Sequence, residues 1–431
     1  MTTKITVFEG DRLDITFGSH LSGPVSRLLD TYVGGKQAFK LRNGSIYAND
    51  LVGAVDVGEL KVEVLPKPFG VDSVGEGRKL LFELLNWAGT EISPSWLDGG
   101  SSSRHKDVLE IVEQRAAKEL LRRLEVAVPR RYHEVDERTS VLRGRIDFAQ
   151  YSRQLPANAH ILPIRHFPFE TDNELARLLK ALATTLRNRA RSFSTRRVLD
   201  RCLDLLAGVR ELPLTLDLVS RVRVDRKDAE WGRLVEFANL LAVGSTPDPT
   251  GLGSTDQATL LFSMNNLFEK AIRRALSDFL PGPVSCLRSP GEHALLSTSS
   301  GHGSSVALRV RPDLLFCEYG KILAPGDAKW KRLIANSPRF GIAPDDFYQI
   351  MTYMRLFQSQ VGLLFFPRME WMAPGWTCEF SVSPFGQERI IAASVELREL
   401  VALNRANEGS SARHFATQVQ NMLLPSPQEV Q

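Results

Sequence analysis

Two neighbouring stretches, Arg311-Pro-Asp-Leu-Leu-Phe316 and Ala324-Pro-Gly-Asp-Ala-Lys-Trp-Lys331, constrain the fold of this chain more than any other. They set Asp313 fourteen residues ahead of an Asp327-Ala328-Lys329 triplet, with apolar, strand-like sequence between them. In a strand, side chains at i and i+2 point to the same face, roughly 7 Å apart. Asp327 and Lys329 are therefore expected to project together, with Ala328 turned into the core. Two carboxylates and a lysine facing one pocket suit metal-assisted phosphodiester cleavage. The carboxylates hold a hard divalent cation through oxygen, and the lysine supplies fixed positive charge beside the attacked phosphate.

The sequence on either side extends this pattern. Leu260 to Leu280 reads as a helix with Phe268, Ile272 and Leu276 on one face, and it carries Glu269 ahead of the motif. A helix containing Asp346-Phe-Tyr-Gln-Ile-Met-Thr-Tyr-Met354 follows the motif. Residues i and i+4 share a helix face, so Gln349 and Tyr353 reach one pocket together. Val361-Gly-Leu-Leu-Phe-Phe366 is wholly apolar, as a strand buried on both faces would be. Helix, strand, turn, strand, helix, strand is an α/β order with a mixed central sheet. A lone D-x-K on a strand is more often a surface pair, and a lone Gln-xxx-Tyr an incidental polar pair on a helix. Side by side, they favour a shared site.

A chain of 431 residues exceeds one domain's worth. We expect a multidomain α+β or α/β protein with three parts. Residues 1–100 form a β-rich module, with an Asn43-Gly44 hairpin between Phe39 and Tyr47 and further short strands from Val52 to Lys67. Residues 101–255 are mainly helical and basic, and residues 256–431 hold the motif. Helices are expected from Gly77 to Ala88, from Val108 to Leu121, across Asp172 to Leu206, and around Trp231 to Leu241. Gly89–Ser103 and Thr246–Ser254 read as loops, and the residues from Glu408 onward as a loose polar end.

Composition narrows the function classes. No apolar run approaches the length of a membrane helix. Met1-Thr-Thr-Lys-Ile-Thr lacks signal-peptide design, so a cytoplasmic protein is expected. Cys202, Cys286, Cys317 and Cys378 lie far apart, which predicts reduced, buried thiols rather than a disulfide scaffold or zinc module. A net charge of +4 permits a nucleic-acid partner without demanding one. Arg187, Arg189, Arg191, Arg196, Arg197 and Arg201 crowd one region, followed by Arg221, Arg223, Arg226 and Lys227. A solvated helix face is the first reading of such a run, and phosphate contact the second.

The motif elements resemble the PD-(D/E)xK nuclease fold, in which a helix glutamate, a metal-binding aspartate and a strand-borne (D/E)xK occur in this order. A narrower resemblance rests on Leu51-Val-Gly-Ala-Val-Asp-Val-Gly58, Val62-Glu-Val-Leu-Pro-Lys67, Val141-Leu-Arg-Gly-Arg-Ile146, Leu267-Phe-Glu-Lys270 and Tyr348-Gln349. Together these look like the McrC family, the nuclease subunit of McrBC modification-dependent restriction systems. The resemblance implies Mg²⁺, with Mn²⁺ as a substitute, held by Asp313, Asp327 and the Ala328 carbonyl. Glu269 would serve directly or through water. Lys329 would act as electrostatic stabiliser, with Gln349 and Tyr353 positioning the strand or water. Trp330 stands where tyrosine is usual and is expected in the core, while Lys331 is a phosphate contact or solvated.

The resemblance also implies an N-terminal region docking on McrB, a hexameric AAA+ GTPase, and a double-stranded, modified DNA substrate. The chain itself has no GxxxxGK[ST] loop, since Gly34-Gly-Lys36 and Gly301-His-Gly303 lack its spacing, so it is not expected to bind nucleotide. Two other readings compete: a stand-alone repair or recombination nuclease of the same fold, and a non-catalytic adaptor stimulating an AAA+ ring.

Overall fold

The structure is a computed structural model and describes residues 3–14, 22–33, 36–88, 107–132, 134–153, 156–244, 257–300, 303–382, 386–402 and 409–424. The loops expected over 89–103 and 246–254 lie outside these, as do most of Gly34-Gly-Lys36 and Gly301-His-Gly303. The chain divides into two compact units, residues 1–104 with 261–431, and residues 105–260. The first and last of the three expected parts thus group into one discontinuous unit, and the middle part stands as the other.

In the discontinuous unit, strands β1 (Thr3–Phe8), β2 (Phe39–Arg42), β3 (Ser45–Ala48), β4 (Leu51–Val57) and β5 (Leu60–Leu65) make the expected β-rich module. β2 and β3 pair as a hairpin through Asn43 and Gly44, both at positive φ, as a two-residue turn requires. Helix α1 (Val74–Trp87) opens on Ser73, whose side chain accepts from the Glu76 amide. Such a cap is worth about 1 kcal/mol.

The helix expected from Leu260 begins later. Gln257–Ser263 is a strand, β6, which completes a sheet of order β1-β5-β4-β6. Leu261 packs with Leu28, Phe39, Val55 and Leu60 in that sheet's core. Ser263 then caps α2 (Met264–Phe279), its side chain accepting from the Asn266 amide. Sheet burial overrode the helical reading of the first residues, because Leu260, Leu261 and Phe262 fit either period.

A second, six-stranded sheet follows from β7 (Val284–Cys286), β10 (Leu314–Glu318), β11 (Lys321–Ala328), β12 (Val361–Pro367), β13 (Thr377–Ser381) and β14 (Arg389–Val395), in the order β7-β10-β11-β12-β14-β13. Strands β8 (His293–Ser300) and β9 (Gly303–Val310) form a separate hairpin before it. β10 and β11 are antiparallel, while β11, β12 and β14 are parallel, so the central sheet is mixed, as expected. β12 is buried on both faces between parallel neighbours, which accounts for its wholly apolar sequence.

Helix α3 (Pro344–Phe357) covers this sheet through Ile350, Tyr353 and Met354. It comes very close. A Cβ on Gly362 of β12 would stand 2.7 Å from both Ile350 Cγ1 and Met354 Sδ, so only glycine fits beneath this helix. The expected loose end is instead a helix, α4 (Ser410–Leu423), with Ala412, Phe415, Ala416, Val419 and Leu423 buried. Their i, i+3, i+4, i+7 spacing makes one apolar stripe, which packing secures although the exposed residues are polar.

The other unit is built on helices Val108–Val126, Glu174–Arg189, Phe193–Leu205 and Gly232–Gly244, with short strands including Val135–Thr139 and Leu162–His166. Its core holds Leu120, Leu178, Leu179, Leu182, Leu199, Leu234 and Phe237. Part of its arginine run serves this unit internally. Arg189 pairs with Glu113 at 2.6 Å, both side chains being nearly buried, and Arg187 with Asp200 at 2.9 Å.

Candidate active site

The site sits where β11 ends. Asp327 pairs in register with Leu364 of β12, and the Lys329 amide donates to the Phe365 carbonyl at 2.8 Å. These bonds hold the D-x-K backbone straight, so Asp327 and Lys329 share a face while Ala328 is buried on the other. Lys329 Nζ lies 2.6 Å from Asp327 Oδ2 and donates to Gln349 Oε1 at 2.9 Å. Gln349 Nε2 donates to the Tyr353 hydroxyl at 2.9 Å, and that hydroxyl donates to the Arg311 carbonyl at 3.3 Å. The i, i+4 pair on α3 thus joins the lysine to the backbone just before Asp313.

Asp313 precedes β10, and its Oδ2 accepts from the Ala328 amide at 2.9 Å. Five of the expected residues, Asp313, Asp327, Lys329, Gln349 and Tyr353, are therefore brought together around the end of one strand.

Glu269 is differently engaged. It faces Asp313 from α2, but its carboxylate is paired with Arg273 one turn along. Arg273 also donates through Nε and Nη2 to the Asp313 carbonyl, at 2.9 and 2.7 Å. Arg273 is a residue the sequence reading missed. Its position four residues after Glu269 was the available signal. Lys331, expected to touch phosphate or be solvated, pairs with Asp346 at 2.8 Å. The Trp330 ring meets Phe268 edge-on, with centroids 5.3 Å apart.

Electrostatics follow from burial. Asp327 is only 1% exposed. Desolvation, with the neighbouring Asp313 charge second, pushes its carboxyl up to about 7 despite Lys329. Burial and then Asp313 likewise raise Glu269, against the pull of Arg273. Burial pulls Lys329 down, but Asp327 and Asp313 outweigh it and its pKa rises above the ordinary lysine value. Burial raises the Tyr353 hydroxyl. At neutral pH the lysine is a fixed cation, while burial and the neighbouring charge make the Asp327 carboxyl resist ionisation.

Among the described residues, no group of three or more His, Cys, Asp or Glu side chains gathers closely enough to hold a metal. A pair of carboxylates is nevertheless a fitting set for Mg²⁺, which keeps several waters and needs only one or two carboxylates beside substrate phosphate oxygens. Asp327 Oδ1 is buried and has no hydrogen-bond partner. That is costly for a carboxylate oxygen, and coordination to a cation would offset it.

A multidomain α/β protein with an acidic-lysine cluster at the end of a mixed sheet is the class these observations define. The family described as McrBC 5-methylcytosine restriction system component matches residues 46–367. The chain belongs to that family, and the resemblance to McrC read from the sequence is borne out.

Solved structures that share its fold include the following two. One is a chain of the refined half-complex from a tetradecameric assembly of Thermococcus gammatolerans McrB AAA+ hexamers with bound McrC. It has a TM-score of 0.69 and 19% identity, covering 97% of this chain and 100% of that one. The other is a chain of the Thermococcus gammatolerans McrBC complex solved by cryo-electron microscopy. It has a TM-score of 0.53 and 22% identity, covering 64% of this chain and 87% of that one. No curated protein matches this sequence. No helix among the described residues is long and apolar enough to cross a membrane.

Proposed function

We propose that this chain is the nuclease subunit of an McrBC-like restriction system. In this reading it hydrolyses DNA phosphodiester bonds with Mg²⁺ and stimulates a hexameric McrB-like AAA+ GTPase. The substrate is modified double-stranded DNA in the cytoplasm. The observation that carries the reading is Asp327, buried beside Asp313 with the Lys329 ammonium 2.6 Å away. Family membership supports the restriction role, and the fold shared with structures of McrB hexamers with bound McrC supports the partner.

Asp313, Asp327 and the Ala328 carbonyl would hold the ion, with Glu269 acting directly or through water. When bound, Mg²⁺ supplies a more acidic water and charge neutralisation at the phosphate. Lys329 keeps a preorganised positive charge for the phosphorane-like transition state, which costs no reorganisation as charge develops. Gln349 holds that ammonium in place, and Tyr353 holds Gln349. Arg273 balances Glu269 while bracing the Asp313 backbone.

The test is cleavage of modified DNA with Mg²⁺, GTP and the partner, comparing the natural chain with Asp327→Ala and Lys329→Ala. Cleavage should disappear in Asp327→Ala and fall about 100- to 1,000-fold in Lys329→Ala, with GTPase stimulation kept in both. Undiminished cutting by Asp327→Ala would sink the assignment. Cutting by the natural chain without partner would favour the stand-alone nuclease, and stimulation without any cutting the adaptor.

A further inference from the structure

β11 ends at Ala328, so the chain leaves the sheet just as it presents Lys329. Beyond that point Trp330 is the anchor, and it is held from three directions. Its amide donates to Asn265 Oδ1 at 3.3 Å, and its ring meets Phe268 edge-on; both partners lie on α2, and Phe268 adjoins Glu269. Its indole N–H donates to Glu9 Oε1 at 2.6 Å. Glu9 directly follows β1 and is itself fixed, its amide donating to the Leu65 carbonyl of β5 at 2.9 Å. The same N-terminal module holds the start of α2, where the Met264 amide donates to the Asp50 carbonyl at 3.0 Å.

Glu9 is an expensive choice for packing alone. It is half-buried, and its hydrogen-bond donor is a neutral indole rather than a cation. Burial pushes its carboxyl up to about 7. A short bond to a strong acceptor is nevertheless well suited to fixing an indole in one orientation.

We propose that Glu9 and Trp330 are positioning residues for the reaction. Their hydrogen bond ties the N-terminal sheet to the residue after Lys329, setting the register between the D-x-K backbone and the helix bearing Glu269. The inference rests on the cleavage reading above. Its physical basis is the tight tolerance of reacting geometry, since a displacement of about 1 Å can cost on the order of 100-fold in rate. It also makes the N-terminal module part of the catalytic apparatus, joined to it by a contact spanning more than three hundred residues of chain.

The experiment uses the full chain with its GTPase partner, DNA and Mg²⁺, and compares Glu9→Ala, Glu9→Gln, Trp330→Phe and the Glu9→Ala/Trp330→Phe double variant. Glu9→Ala and Trp330→Phe should each lower kcat about 10- to 100-fold, with KM for DNA unchanged. Glu9→Gln should cleave nearly as the natural chain does, because its amide oxygen still accepts the indole N–H. The double variant should be no worse than either single one. Without DNA or metal, amide exchange should quicken across residues 329–332 in Glu9→Ala and stay slow in Glu9→Gln.

Natural-rate cleavage and exchange in Glu9→Ala overturn this inference alone. So does a Glu9→Gln variant as defective as Glu9→Ala, or a change confined to KM. A natural chain that cleaves nothing overturns the reading beneath it, and this inference with it.

Discussion

The Lys329 ammonium stands 2.6 Å from Asp327 Oδ2 and bonds Gln349 on its other side. The lysine is thus committed to one place before any substrate arrives. Replacing it with alanine should lower the cleavage rate about 100- to 1,000-fold. It should also remove about 1–3 kcal/mol of stability, because a buried carboxylate loses its partner. Single-turnover cleavage and urea melts measure the two effects.

Metal binding should be visible without catalysis. Mg²⁺ or Mn²⁺ that binds only the folded site raises the melting temperature, by an amount that grows with the logarithm of its concentration once it exceeds Kd. The natural chain should melt several degrees higher with millimolar Mn²⁺, whereas Asp327→Asn and Asp313→Asn should show no such rise. An equal rise in all three would place the ion elsewhere.

Gly362 sets how closely α3 approaches the sheet. Gly362→Ala puts a Cβ 2.7 Å from Ile350 Cγ1 and Met354 Sδ. Such overpacking should cost about 1–3 kcal/mol. It should also weaken cleavage, because α3 carries Gln349 and Tyr353. Adding Met354→Ala opens space, so the double variant should recover part of the activity. Thermal melts and cleavage assays read both effects.

Glu9 should make stability depend on pH. Its folded pKa is raised from the ordinary 4.5 to about 7. Below the ordinary value the group is protonated folded and unfolded, and contributes no penalty. As pH rises from about 4.5 to 7 the unfolded chain ionises first, so the fold loses stability, by on the order of 3 kcal/mol at most. Glu9→Gln should abolish that component and melt higher than the natural chain at pH 8. An identical pH profile for both would refute it.

Much of the site was legible because it obeys short-range rules. The strand period put Asp327 and Lys329 on one face, and the helix period put Gln349 and Tyr353 on one face. The Asn43-Gly44 hairpin and the buried strand before Pro367 likewise follow from turn chemistry and unbroken apolar sequence. Errors came where both periods fit or where polarity misled. Leu260 to Ser263 joined a sheet, and the polar stretch after Glu408 concealed the apolar stripe of Ala412, Phe415, Val419 and Leu423.

The sequence by itself determined the chemistry available at the end of β11, because residues two or four apart meet by backbone geometry alone. Only the tertiary structure decided what surrounds that chemistry. It paired Glu269 with Arg273, buried Asp327, slid α3 over Gly362 and brought Glu9 from the opposite end of the chain to Trp330. Contacts between distant residues depend on how whole sheets and helices pack, and no local period of one sequence records that.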